Sequence, residues 1–337
     1  MTAATCLRSF LASASLTAAL TAIACATPGP ASPVDAPPAA SAAPPGSLIA
    51  RTEGYLEGCG SILYYESIGS GSPLIVLHGG PGSSHQYFLP HLLPLARHHR
   101  LIFLDERGSG RSQRLADPSG YTLEAMSCDV NALRDSLGYP TTDVLGHSFG
   151  GILAQDYALR YPGHVHRLIL AGTGSSAARL DADFAAIKAA LDPDLRKRIE
   201  ALEAKGILGP DGAQTPEYRK LADEAELPYE YSVRPPAWSE PADPVGWDVL
   251  NTMWGSKSDF HIDGNLAGFD FVPRLKKLGI ATLIIAGDHD LPSRATLEET
   301  HRALANSHLV ILNHCGHESF VDQPRAFFAE VDAFLND

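Results

Sequence analysis

Short apolar runs alternate with amphipathic stretches along most of the chain. Residues 74–77, 101–104, 142–147, 165–171, 281–286 and 308–312 are apolar and bounded by glycines or charges. That is the signature of strands covered on both faces. Between them, residues 85–97, 123–137, 152–161, 294–305 and 324–335 repeat apolar positions at helical spacing. Residues 54–57 and 62–68 read as a β-hairpin turning at Gly58-Cys59-Gly60. Strands alternating with helices predict an α/β fold with a mostly parallel central sheet and helices on both faces. From about 175 to 270 the pattern changes. Residues 183–191 and 194–205 are helical, 228–244 are rich in proline and aromatics, and no β-alternation appears. This predicts a helical cap over 175–270, inserted into a core made of 49–174 and 271–337.

The 337 residues are 45% hydrophobic, enough for one large α/β domain with an insertion. A net charge of −13 speaks against a nucleic-acid or anionic-membrane binder and suits a positively charged substrate. Residues 1–26 read as an export signal, with Arg8 as the lone basic residue before a short apolar stretch at 10–24 diluted by Ser and Thr. That stretch is too short and polar to span a membrane. Ala24-Cys25-Ala26 fits ordinary signal cleavage, while residues 20–25 resemble a bacterial lipoprotein box, which makes Cys25 a candidate lipid anchor. Residues 27–48 are an Ala/Pro-rich linker. The expected location is the bacterial periplasm or the medium.

Cys59, Cys128 and Cys315 form no disulfide scaffold, and their spacing leaves any bridge among them open. The histidines show no ligand spacing with cysteines or acids, so no metal site is expected. Apart from two in the chain's last strand-to-helix loop, His314 and His317, the histidines are expected to be solvated or capping.

The chemistry centres on Gly146-His147-Ser148-Phe149-Gly150, which ends an apolar run and opens a helical one. A serine on a sharp strand-to-helix turn needs small neighbours two residues away on each side. Its hydroxyl then projects at a helix N-terminus, where amides can hold an oxyanion. His78-Gly79-Gly80-Pro81-Gly82 follows another strand and lacks the spacing of a nucleotide loop. It is expected to complete the oxyanion hole, with the Gly80 N–H facing the Phe149 N–H. Serine needs a base, and the base needs an acid to orient it. In the order Ser, Asp, His, with each partner just after a strand, Asp290 and His317 are selected over Asp288 and His314. Asp105 to Ser112 reads as an ion-pair turn under the site.

These motifs resemble the alpha/beta-hydrolase fold and, within it, the proline iminopeptidase (prolyl aminopeptidase) family of serine peptidases. The resemblance spans 54–334 and is weakest in the cap. It rests on His78-Gly79-Gly80-Pro81-Gly82, Asp105-Glu106-Arg107-Gly108-Ser109-Gly110-Arg111-Ser112 and Gly146-His147-Ser148-Phe149-Gly150-Gly151, with Glu106 standing where the family usually has Gln. It implies a triad of Ser148, Asp290 and His317, oxyanion donors at Gly80 and Phe149, and no cofactor. The family's cap carries acids that hold the substrate's α-amino group. Residues 253–260 resemble the family's Met-x-Gly-Pro-x-Glu-Phe segment with one extra residue, which makes Asp259 a candidate amine anchor beside Glu230 or Glu226. The implied activity is release of an N-terminal residue, proline foremost, from small peptides through an acyl-enzyme. The rivals are an esterase or other small-molecule hydrolase on the same scaffold, and a non-catalytic binding protein.

Overall fold

Eight strands among the described residues form one sheet in the order β1-β2-β4-β3-β5-β6-β7-β8. They are β1 (Arg51–Glu57), β2 (Ile62–Gly69), β3 (Ser72–Leu77), β4 (His99–Leu104), β5 (Thr142–His147), β6 (Val165–Ala171), β7 (Ala281–Gly287) and β8 (Ser307–Leu312). The computed structural model describes residues 49–89, 91–232 and 244–336. The proposed signal and linker, Cys25 and most of the Pro-rich stretch after residue 232 lie outside them. β1 and β2 pair antiparallel, as do β2 and β4, and every later neighbour pair is parallel.

The period of two along each strand divides the core. Ile75 and Leu77 of β3 join one apolar cluster, and Leu74 and Val76 join the other. The first layer includes α1 (Leu123–Ser136) and α2 (Phe149–Arg160). The second includes the helix α10 (Pro324–Asn336) and residues 87–96. With both faces covered, β3 to β7 can be apolar almost throughout.

Residues 85–97 depart from the expected helix. They form two 3-10 turns, His85–Phe88 and Leu93–Arg97. Pro94 sits at the start of the second turn and lacks the N–H that a continuous helix would need there.

Between β6 and β7 the described residues form the helices α3 (Ala177–Ala190), α4 (Pro193–Glu203), α5 (Pro216–Glu230), α6 (Trp247–Met253) and α7 (Val272–Leu275). After β7 come α8 (Arg294–Ala303) and, after β8, the short α9 (Ser319–Asp322). Leu180, Phe184, Ile199, Tyr218 and Val249 of the inserted helices join the same apolar cluster as α1 and α2.

Cys59 and Cys128 form a disulfide with their Cα atoms 5.9 Å apart, and Cys315 is free and buried. The bridge closes a separation of 69 residues and ties the β1–β2 turn to α1, which by loop-closure entropy stabilises the fold by about 4 kcal/mol. Beside it Arg107 grips both carboxylate oxygens of Asp129, at 2.6 and 2.8 Å, and donates to the Cys59 carbonyl at 3.0 Å.

Candidate active site

β5 delivers Ser148 into a turn with φ 55° and ψ −123°, immediately before α2. A non-glycine residue in that region is strained and is held only by its surroundings. The Ser148 N–H donates to the Ala171 carbonyl at 2.9 Å, and the Gly151 N–H returns to the Ser148 carbonyl at 2.9 Å. The flanking glycines follow from backbone proximity. A Cβ at Gly146 would lie 2.2 Å from the Gly150 carbonyl oxygen, and one at Gly150 would lie 2.3 Å from that of Leu77. Ser148 itself is partly exposed. Phe149 is the first residue of α2, so its N–H has no carbonyl one turn back to bond.

Asp290 follows β7, and His317 follows β8. The His317 Nδ1–H donates to Asp290 Oδ1 at 2.5 Å, which leaves Nε2 as the basic nitrogen. Asp290 also accepts from the Leu291 N–H at 2.7 Å and the Gly287 N–H at 3.3 Å. Gly172, at the end of β6, makes room: a Cβ there would lie 2.9 Å from His317 Nδ1. The His147 ring, next in sequence to the serine, lies 4.6 Å from the His317 ring. Thus the carboxyl ends of β5, β7 and β8 bring Ser148, Asp290 and His317 to one place.

The rivals Asp288 and His314 go elsewhere. Asp288 accepts from the backbone N–H groups of His314 and Cys315, both at 3.0 Å, and from His289. Those bonds outweigh its slight burial and hold its carboxyl down to about 2. It braces the loop that carries His317.

The loop after β3 reaches the same place. A Cβ at Gly79 would lie 3.1 Å from the Ser148 Cβ, and Gly80 follows with φ 116°. His78, fully buried, donates from Nδ1 to the Gly79 carbonyl at 2.7 Å and accepts the Glu106 N–H on Nε2 at 3.2 Å. Outside this loop the Gly246 N–H donates to the Gly82 carbonyl at 2.7 Å, clamping the start of α6 onto it. The end of α5 docks on the histidine loop. The His317 N–H donates to the Tyr229 carbonyl at 2.8 Å, and the Glu318 N–H donates to that of Glu230 at 3.1 Å. Carbonyls left over at a helix C-terminus are satisfied there, and their partial negative charge faces the histidine.

Residues 72–324 match the family described by the alpha/beta hydrolase fold. The chain is an alpha/beta hydrolase. The proline iminopeptidase of Heyndrickxia coagulans is 30% identical over 295 residues, covering 85% of this chain and 99% of that one. The proline iminopeptidase of Lactobacillus helveticus is 31% identical over 294 residues, covering 84% and 97%. Among solved structures, the proline iminopeptidase of Mycobacterium smegmatis superposes with a TM-score of 0.71 at 24% identity, covering 85% of this chain and 98% of that one. At that identity the likeness speaks to the fold alone.

In this hydrolase the inserted helices bring acids toward the histidine. Glu226 and Glu230 lie one turn apart on α5. Asp259 follows α6, with its carboxylate accepting from Gln214 and its N–H donating to the Tyr218 hydroxyl at 2.8 Å. Glu230 stands close enough to His317 for each to feel the other's charge, and Glu226 couples to both Glu230 and Asp259. Burial, together with those neighbours, pushes the Glu226 carboxyl well above the usual range. Glu230 is also pushed up by burial, partly opposed by His317. Asp259 is raised by burial to about 6 despite Arg219 and Gln214. Sequence reasoning missed Glu318, whose only signal is its place directly after His317. Its Oε2 is buried without a hydrogen-bond partner among the described residues, and burial raises it to about 8. Four carboxyls thus stand short of easy ionisation, an arrangement that a bound cation relieves.

Several histidines contradict the expectation of solvated or capping roles. His78, His85, His99 and His147 are all buried. His85 bridges Asp105 at 2.7 Å and Glu66 at 3.4 Å, which outweighs its burial and lifts it to about 9. The Asp105 to Ser112 turn is therefore braced by ion pairs with residues far away in sequence.

Glu106 is the exception within that turn. It is 1% exposed, and neither carboxyl oxygen has a hydrogen-bond partner among the described residues. His78 Nδ1 is 3.7 Å away, but burial pulls that ring down to about 4 and its bonds fix the neutral form. Burial, with Asp105 adding, therefore drives the Glu106 carboxyl well above its usual range. A folded-state carboxyl raised in this way favours folding below its unfolded value, and that stability is lost as pH rises toward the folded value. Glu106→Gln, which cannot ionise, is expected to stabilise the fold by about 1–3 kcal/mol at pH 8 and to have little effect at pH 4. Urea unfolding at both values checks it; equal effects at the two would remove Glu106 as the source.

Proposed function

We propose that this chain is an exported serine aminopeptidase that releases an N-terminal residue, proline foremost, from small peptides. The observation that carries the reading is the Asp290–His317 pair assembled beside an elbow serine, with the acid-bearing end of α5 docked on the same loop. Relatives named proline iminopeptidase at about 30% identity over most of the chain support the substrate class.

In this mechanism Ser148 Oγ attacks the carbonyl carbon of the N-terminal residue while His317 Nε2 takes its proton. The tetrahedral oxygen is held by the Phe149 and Gly80 N–H groups. His317 then protonates the leaving amine, and an acyl-enzyme forms on Ser148. Water, deprotonated by the same nitrogen, releases the amino acid. Asp290 stabilises the imidazolium at each stage. The inserted helices form the cap of the site, and Glu230, Glu226 and Asp259 compensate the substrate ammonium's lost hydration.

A panel of aminoacyl-naphthylamides beside acyl esters tests the assignment, with Ser148→Ala as control. Preference for simple esters over every free-amine substrate would replace it with the esterase reading. Turnover that survives in Ser148→Ala would remove the serine mechanism altogether.

The pH profile gives a second test. Burial pulls His317 down, but the Asp290 carboxylate and its hydrogen bond outweigh that and raise the ring above its ordinary value. Because the base must be neutral, kcat/KM is expected to fall on acidification with a midpoint above about 6.5. A midpoint well below it would contradict a base paired to Asp290.

Export is supported by the Cys59–Cys128 disulfide, since such bridges persist in oxidising compartments. Mass spectrometry of the N-terminus of the chain recovered from its host distinguishes cleavage after Ala26 from a lipid on Cys25.

A further inference from the structure

Tyr87 and His147 take no part in the mechanism above, yet they lie at its centre. Tyr87 is 9% exposed and His147 is 2% exposed. The Gly79 N–H donates to the Tyr87 hydroxyl oxygen at 2.7 Å. The same oxygen lies 2.7 Å from His147 Nδ1, and His147 Nε2 lies 3.2 Å from the His317 carbonyl oxygen. An amide at one end can only donate, and a carbonyl at the other can only accept. The chain therefore has one self-consistent direction: Gly79 N–H to Tyr87, Tyr87 O–H to His147 Nδ1, and His147 Nε2–H to His317. One hydroxyl rotamer and one tautomer satisfy every member.

We propose that Tyr87 and His147 form a positioning strap, tying the loop that carries Gly79 and Gly80 to the loop that carries His317 across the elbow serine. The inference rests on the serine mechanism proposed above. It adds what fixes the distance between the oxyanion donors and the base. β3 and β8, which launch these two loops, are not neighbours in the sheet, since β5, β6 and β7 lie between them. Strand pairing alone therefore sets their relative position only through four successive registers. The strap spans that gap with three hydrogen bonds at the level of the serine. Its middle member is locked by packing, with the His147 ring edge-on to Phe320 at 5.3 Å and to Phe88 at 6.1 Å. The Tyr87 ring is held in turn against Phe88 at 4.3 Å. Tyr87 acts through the groups it tethers, and the His147 ring also packs 4.6 Å from that of His317, so both position the base and the oxyanion donors rather than the substrate.

Loosening the strap should damage the transition state, where oxyanion and imidazolium form together, more than ground-state binding. Tyr87→Phe keeps the ring and deletes the hydroxyl. It is expected to lower kcat about 10- to 100-fold on both prolyl naphthylamide and p-nitrophenyl ester, with KM held within about twofold. His147→Leu, which removes both ring nitrogens and supplies no donor or acceptor in their place, is expected to lose a similar amount. The double variant is expected to be no worse than the poorer single one, because a chain cut once is already cut. A loss in KM alone, a kcat within about twofold of wild type in Tyr87→Phe, or losses that multiply in the double variant would overturn the strap. Thermal unfolding verifies that each variant is folded. If Tyr87→Phe does not fold, the kcat and KM of His147→Leu decide by the same criteria. Ser148→Ala separates the two failures: turnover that survives it rejects the serine mechanism, whereas its loss alongside a wild-type Tyr87→Phe rejects the strap alone.

Discussion

Asp290→Asn is expected to lower kcat/KM for a prolyl naphthylamide by up to about 10⁴-fold while leaving the fold intact. Asp290 Oδ1 accepts from both His317 Nδ1–H and the Leu291 N–H, and Oδ2 accepts from the Gly287 N–H. An asparagine must therefore turn its amide group toward a donor at one oxygen or the other. If it faces His317, the ring takes the wrong tautomer and Nε2 ceases to be a base. If it faces Gly287, the tautomer survives but the charge that stabilises the imidazolium is gone. Both orientations weaken the transition state, and the second also lowers the His317 pKa. The acid limb of kcat/KM should then move to lower pH in whatever activity remains. A variant within tenfold of wild type with an unmoved limb would show that Asp290 is not the partner of the base.

The parts of this site that could be read from sequence are those imposed by the backbone. A serine at positive φ and carbonyls 2.2 to 2.3 Å from any added Cβ demand Gly146 and Gly150, so the elbow leaves a written motif. Asp290 and His317 were legible because each stands just beyond a strand whose apolar run marks it. Double-sided burial wrote β3 to β7 into the hydropathy. Residues 85–97 misled, because helical spacing of apolar positions persists across Pro94 although the hydrogen bonds do not. Long-range partners left no trace. Nothing in the spacing of Cys59 and Cys128 announces their bridge. Nothing near Tyr87 points to a histidine 60 residues later. The position of Glu230 depends on where α5 ends against the His317 loop, which is tertiary information.

That docking decides which acid should matter most for the substrate amine. Of the three candidates, Glu230 is the one whose charge is felt at His317, while Asp259 is engaged by Gln214. An ammonium entering this partly dry space loses hydration, and a carboxylate must replace it. An acyl ester without an amine makes no such demand. Glu230→Gln is therefore expected to reduce kcat/KM for prolyl substrates by about 2–5 kcal/mol, roughly 30-fold to several thousand-fold, while simple esters change little. Asp259→Asn should show the same selectivity with a smaller loss. The free-amine substrates should also carry an extra dependence on pH. Burial raises the Glu230 carboxyl, so acidification neutralises it sooner than an exposed glutamate and weakens the ammonium pair as pH falls. N-acetylation of the prolyl substrate should reproduce the defect in the wild-type enzyme and add nothing further in Glu230→Gln. If Glu230→Gln instead slows esters and prolyl substrates alike, the acid serves His317 rather than the amine. The aminopeptidase assignment would then rest on the loops after β3, β4 and β5 alone.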